Sequence, residues 1–198
     1  MTCPICGTAL ERVLLLPAND SGTDLRGFRC SQGHGVFLPS DLYFDWRDGR
    51  EPRRDLDLSA VSGDVGDVLQ AKLCPQDGRI MGRYRSAGDG GYWIDRCSTC
   101  GGVWFDGSEW EATVAAGLHE SLPQVFSDSW QREAEEATAA AARRQRLAAA
   151  VGAGDLERTD AFRAWVWSHP QRHLLIARVN EPPGASSGPP PDVFSGPS

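Results

Sequence analysis

One cysteine pattern occurs twice in this chain, and that duplication limits what the chain can fold into more than any other feature. Residues 3–6 read Cys-Pro-Ile-Cys, and Cys30-Ser-Gln-Gly-His34 follows, leading into Gly-Val-Phe-Leu. Residues 74–77 read Cys-Pro-Gln-Asp, and Cys97-Ser-Thr-Cys100 follows, leading into Gly-Gly-Val-Trp-Phe. All six cysteines lie inside these motifs. Soft thiolates at two-residue spacing, brought together as two pairs, are what a tetrahedral zinc ion requires. A hairpin of roughly 20 residues between the pairs returns the chain for the second half of each site.

Aligned on Cys30 and Cys97, Ser31 matches Ser98, Gly35 matches Gly102, Val36 matches Val103 and Phe37 matches Trp104. This argues for two copies of one small unit. The first offers Cys3, Cys6, Cys30 and His34. The second offers Cys74, Cys97 and Cys100, with Asp77 in the register of a fourth cysteine. Carboxylate oxygen is an accepted zinc donor at about 2.0–2.2 Å, so Asp77 is read as the fourth ligand. The alternative is a turn-capping Asp77 beside Gly78, leaving the second site degenerate or closed by water. Phe37 and Trp104 directly follow the knuckles and are expected to pack beneath the sites.

Two other uses of paired cysteines compete with zinc. A disulfide framework needs an oxidising compartment, and Met-Thr-Cys-Pro opens no basic and apolar leader, so metal ligation is expected. A redox dithiol would open a helix in a βαβ unit, whereas Cys-Pro-Ile-Cys precedes a strand-like run.

The run Cys74-Pro-Gln-Asp-Gly, followed by Ile94-Asp-Arg-Cys97-Ser-Thr-Cys100-Gly-Gly-Val-Trp104-Phe-Asp106-Gly-Ser-Glu109, resembles the bacterial transcription-factor-IIB-type zinc ribbon. That family reads C-P-x-C/D, a hairpin, then C-x-x-C-G-G-x-W-x-D-x-x-E. The first copy is a looser match that departs at His34, where C-x3-H replaces C-x2-C. The resemblance covers roughly half of the chain. It implies a structural zinc site and, through the family's name, a link to transcription; fold analogy alone is a weak warrant for function.

The 198 residues carry a net charge of −7, with 20 basic and 27 acidic side chains. No segment is a basic tail, which disfavours strong non-specific affinity for nucleic acid. Lys72 is the only lysine, and the arginine bias suggests a GC-rich bacterial genome. No apolar run approaches a membrane span, so no membrane partner is expected and the chain reads as soluble and cytoplasmic.

The expected fold is a small zinc-stabilised α+β arrangement. It has two rubredoxin-like zinc-ribbon β-hairpin units, at 1–46 and 72–118, and C-terminal α-helices. A linker spans 47–71, with at most a short helix at 56–61. In the first ribbon, Val13–Pro17 and Leu25–Arg29 pair around a turn at Asn19–Gly22, and Leu42, Phe44 and Trp46 form an exit segment. In the second, Arg79–Arg85 and Gly91–Arg96 pair around Ala87-Gly-Asp-Gly90. Asp106 is expected to cap a helix over Ser108–Gly117, with Glu109 completing a capping box.

Residues 119–154 hold an Ala-rich helix, Ser129–Val151, with Glu early and Arg late, as the helix dipole favours. Gly152–Gly154 ends it. Residues 155–180 are a Trp-rich piece in which Thr159 or Asp160 caps a helix at Ala161–Ser168, followed by another at Gln171–Val179. This piece either packs back on a ribbon, the expected outcome because small proteins need the area, or docks a partner. Residues 181–198 are rich in Pro, Gly and Ser and read as disordered.

These features point to a zinc-binding tandem-ribbon protein acting as a non-catalytic protein-interaction module. One alternative is nucleic-acid binding through the second hairpin, where Arg79, Arg83, Arg85 and Arg96 stand among Tyr84, Tyr92 and Trp93. Another is a zinc-dependent hydrolase with an open second site. No Ser-His-Asp set, H-E-x-x-H motif or phosphate loop accompanies that site.

Overall fold

The computed structural model describes residues 1–18, 22–48, 70–88 and 90–182. The expected turn residues 19–21, the linker helix at 56–61, Asp89 and the tail from 183 lie outside them. The chain divides into two units, Met1–Ala142 and Arg143–Ser198.

In the first unit each copy of the repeat contributes three short strands. The first copy gives β1 (Glu11–Leu16), β2 (Leu25–Arg29) and β3 (Gly35–Leu38), followed by helix α1 (Ser40–Arg47). The second gives β4 (Gly82–Arg85), β5 (Trp93–Arg96) and β6 (Val103–Asp106), followed by α2 (Glu109–Ala115). A 3₁₀ turn at Leu118–Glu120 and the short α3 (Leu122–Val125) lead to α4 (Asp128–Val151).

The two copies join in one antiparallel sheet of order β1-β2-β3-β6-β5-β4. The join is β3 against β6, with Phe37 opposite Trp104, Val36 opposite Phe105 and Leu38 opposite Val103. Phe37 and Trp104 are equivalent in the repeat, so a local two-fold relation passes between them.

Side chains alternate across a pleated sheet, and this sorts the core into two layers. On one face Phe37 and Trp104 meet buried Cys3, Cys30, Cys74, Cys97 and Met81. On the other, Val36, Leu38, Ile94, Val103 and Phe105 pack with Tyr43 and Trp46 of α1, Trp110 of α2, and Leu118, Leu122 and Val125. Every residue of β3 and β6 is buried, because the knuckles cover one face of these central strands and the helices the other.

The outer edge of β4 is met by α4. Gln131 Oε1 accepts the Arg85 backbone N–H at 2.9 Å, and Gln131 Nε2 donates to the Arg85 carbonyl at 3.0 Å. One side-chain amide thus completes the backbone pairing at that point of an edge strand.

The second unit takes in the last turns of α4, α5 (Ala153–Ser168) and α6 (Arg172–Asn180). Arg144 pairs with Asp160. Leu156 and Val166 are buried, whereas Trp165 and Trp167 are 51% and 57% exposed.

Three local expectations need correction. The exit segment of the first ribbon is a helix, α1, that buries Tyr43 and Trp46 three residues apart and leaves Phe44 exposed. Helix α5 begins at Ala153: Gly152, with φ 92°, breaks α4 alone, and Thr159 Oγ1 donates to the Asp155 carbonyl as a mid-helix residue does. Asp106 is not the helix cap. It ends β6 inside the protein, and Ser108 precedes α2 without a side-chain cap bond. Half of the capping box survives, since Glu109 Oε2 accepts the Asp106 backbone N–H at 2.7 Å.

Candidate metal centres

The two first half-knuckles are the same turn made twice. Gly7 N–H donates to the Cys3 carbonyl and Gly78 N–H to the Cys74 carbonyl, each at 2.9 Å. Both glycines have φ 73°, a left-handed conformation that any side chain would strain. The second half-knuckles differ in tightness. Gly101 N–H reaches back four residues to the Cys97 carbonyl, whereas Gly33 N–H reaches back only three to that of Cys30. The tighter turn in the first ribbon accompanies the exchange of a cysteine for His34 one position later, whose longer side chain spans the extra distance.

In each ribbon the four candidate donor atoms converge. One atom from each of Cys3, Cys6, Cys30 and His34 lies within 4.8 Å of the others, and the same holds for Cys74, Asp77, Cys97 and Cys100. A tetrahedral zinc with bonds of about 2.3 Å to sulfur and about 2.0 Å to nitrogen or oxygen places donor atoms about 3.5–3.8 Å apart. Cys6 Sγ and Cys30 Sγ are 3.7 Å apart, and His34 Nδ1 lies 3.6 Å from Cys30 Sγ and 3.9 Å from Cys3 Sγ. In the second group, Cys74 Sγ and Cys100 Sγ are 3.5 Å apart. Asp77 Oδ2 accepts from the Cys97 thiol at 3.1 Å, an interaction that an ion between them replaces. Both groups therefore fit zinc with four protein donors, and a zinc ion there would serve as a structural cross-link between the halves of each knuckle.

The surroundings favour deprotonated donors at some positions and resist them at others. Backbone N–H groups of Gln76, Thr99 and Gly102 point at the sulfurs of Cys74, Cys97 and Cys100, each at 3.4 Å. Burial nonetheless pushes Cys74 up to about 12, raises Cys100, and pushes Cys3 up to about 11. Exposed Cys6 goes the other way: hydrogen bonds from the Thr8 hydroxyl and backbone lower it to about 6. The Arg79 backbone N–H and the Cys97 thiol hold the Asp77 carboxyl below its usual range. Asp77 Oδ1 accepts that N–H at 3.0 Å, leaving Oδ2 to face the sulfurs. The turn-capping and ligand roles, posed as alternatives from sequence, are thus compatible: one oxygen serves each.

A buried charge cluster adjoins the second centre. Lys72 Nζ donates to Asp95 Oδ2 at 2.8 Å and lies 2.7 Å from Asp106 Oδ2, and all three side chains are at most 1% exposed. Asp106 Oδ1 accepts the Trp104 indole N–H at 2.6 Å. Burial alone would lower the Lys72 pKa, but the carboxylates of Asp106 and Asp95 outweigh it and hold the ammonium charged. From the sequence, Lys72 stands out only as the sole lysine. Its position two residues before Cys74, in a chain that otherwise uses arginine, was the available signal.

The arginine-aromatic group divides between the two faces of the sheet. Arg83 and Arg85 lie over Trp93 at 5.2 and 4.7 Å from the ring centre. Arg96 lies over Phe126 on the opposite face, where Tyr84 also meets Phe126. Arg79 precedes the hairpin rather than belonging to it, because β4 starts at Gly82. Arg85 donates to the Gly91 carbonyl at 2.8 Å, and Arg83 faces Asp95 at 3.8 Å.

Residues 73–116 match the family model described as transcription factor zinc-finger, a zinc ribbon of the transcription-factor-IIB type. The match spans the second ribbon from the residue before Cys74 to the end of α2. No curated protein and no solved structure matches the chain.

Proposed function

We propose that this protein is a non-catalytic interaction module in which two structural zinc ions hold a double ribbon and the helices after it engage a protein partner. The observation that carries the reading is the donor count. Each centre gathers four protein donor atoms, so zinc would be fully coordinated without water or substrate. That is the arrangement of a structural site, and it supports the adaptor reading over a zinc hydrolase. A role in transcription is the specialisation suggested by the family to which the second ribbon is similar.

The second unit supplies a surface for contact. Its α5 and α6 enclose a groove of about 390 Å³ lined by Phe162, Val166, Trp167, Ile176 and Val179, with Arg163 at its side. Exposed tryptophan beside arginine is the composition of interface anchors. Nucleic-acid binding through the second hairpin is the weaker reading, since Arg83 and Arg85 already engage Asp95, Gly91 and Trp93 within the protein.

The test is affinity capture on the tagged full chain from native extract, with and without nuclease. The adaptor reading expects a defined protein that survives nuclease and is retained by the Arg83→Ala/Arg85→Ala variant. Enrichment that disappears with nuclease and with that variant would move the function to the hairpin.

A further inference from the structure

The two ribbons are packed in a crossed fashion. Phe37 belongs to the first ribbon, yet its ring edge lies against Gly102 of the second. A Cβ built on Gly102 would fall 2.5 Å from Phe37 Cζ, 2.8 Å from Cε2 and 3.3 Å from the sulfur of Cys100. Trp104 belongs to the second ribbon and lies against Gly35, the residue after His34. A Cβ there would meet Trp104 Cζ2 at 2.8 Å and the Phe105 carbonyl oxygen at 2.1 Å. Gly35 and Gly102 are equivalent in the repeat, as are Phe37 and Trp104, so the exchange is reciprocal across the β3–β6 join.

A further contact runs the same way. Gly101, beside Cys100, abuts Ser40 of α1, whose Oγ would lie 3.0 Å from a Cβ at that glycine. Phe37, Trp104 and four of the six cysteines form one buried cluster.

We propose that each zinc centre is seated on the aromatic side chain of the opposite ribbon, so that Phe37 is a positioning residue for the Cys74–Asp77–Cys97–Cys100 centre and Trp104 for the Cys3–Cys6–Cys30–His34 centre. The glycine after each second half-knuckle lets the foreign ring approach the ligand-bearing turn. A thiolate is held at its bonding distance by the backbone beneath it, and that backbone rests on the ring. Loosening the ring therefore loosens the metal across the join before the metal within the same ribbon. The same geometry couples the centres: metal in one ribbon orders the strand whose aromatic supports the other.

The experiment loads the full chain with ¹¹³Cd²⁺ and follows one cadmium resonance per centre during competition with a chelator. Asp77→Cys assigns the resonance of the second centre, because a fourth sulfur changes its donor set. Phe37→Leu removes the ring, and Phe37→Tyr keeps it while driving a para oxygen at Gly102. Both are expected to weaken the second centre by about tenfold, the scale of supporting groups around metal ligands, and to leave the first centre much less affected. Trp104→Phe is expected to show the reverse preference. Loss confined to the ribbon that bears the substitution, or equal loss at both centres, would overturn the proposal. Unchanged retention in Phe37→Tyr would overturn it too, and that conservative variant keeps the test available if Phe37→Leu does not fold.

Discussion

Replacing Lys72 with methionine removes the cation that lies between two buried carboxylates while keeping an unbranched apolar stem; Arg83, 3.8 Å from Asp95, remains. In the native protein the ammonium is 2.8 Å from Asp95 and 2.7 Å from Asp106, with all three groups essentially inaccessible to water. Breaking such a pair by deleting one partner costs about 3–5 kcal/mol, because the remaining buried charge loses its closest counter-charge. Domains of this size hold about 5–15 kcal/mol in total, so the loss is a large share of stability. The melting temperature of the zinc-loaded protein should fall by about 6–20 °C, at about 2–4 °C per kcal/mol.

The sign of the pH response follows. Burial already raises the Asp95 pKa, and without Lys72 that carboxyl gains more by taking up a proton, so the deficit of Lys72→Met should shrink as pH falls from neutral toward 5. Adding Asp95→Asn should recover part of the loss. The assay is urea unfolding at fixed zinc, read by near-ultraviolet circular dichroism, in which buried Trp104 next to Asp106 contributes. A loss below about 1 kcal/mol, typical of a solvent-screened surface pair, would show that the buried cluster does not carry this stability.

Acidification should strip metal from the second centre first. Buried Cys74, at about 12, and raised Cys100 both give up protons to bind metal, whereas in the first centre Cys3 is raised to about 11 and Cys6 is lowered to about 6. Zinc competes with those protons, so affinity falls with falling pH by about tenfold per displaced proton per unit; a chelator titration at pH 6 and 8 checks the order. Asp77→Ala should lower second-centre zinc affinity by at least about tenfold, and Asp77→Cys should restore or exceed it, as read by competition with a chromophoric chelator. Gly102→Ala should destabilise the protein by about 1–3 kcal/mol through overpacking against Phe37, measured by thermal melting.

The convergence of the candidate donors was legible because it depends on short spacings along the chain: two residues between donors fix a turn, and the turn aims the sulfurs. The hairpins and α4 were legible for the same local reason. The joining of the ribbons was not. The pairing of β3 with β6 sets Phe37 against Trp104, a contact between remote segments with no local signature in either. Asp106 was misread because a carboxylate three residues before a glutamate looks like a helix cap, and only the fold brings Lys72 to it. The start of α5 was missed because Gly154 resembles a stop signal, although it sits within the first helical turn. The exit segment at Leu42, Phe44 and Trp46 carried no helix assignment from sequence, and the burial that defines the inner face of α1 is at Tyr43 and Trp46.

Two closed four-donor centres would hold one sheet together. Cobalt substitution of the full chain, with metal counted per chain and the visible spectrum recorded, tests it most directly. The expected result is two cobalt ions per chain, strong tetrahedral d–d bands with thiolate charge transfer, and loss of the near-ultraviolet tryptophan signal when a strong chelator removes them. Fewer than two ions, a weak five- or six-coordinate spectrum, or a fold unchanged after chelation would contradict it.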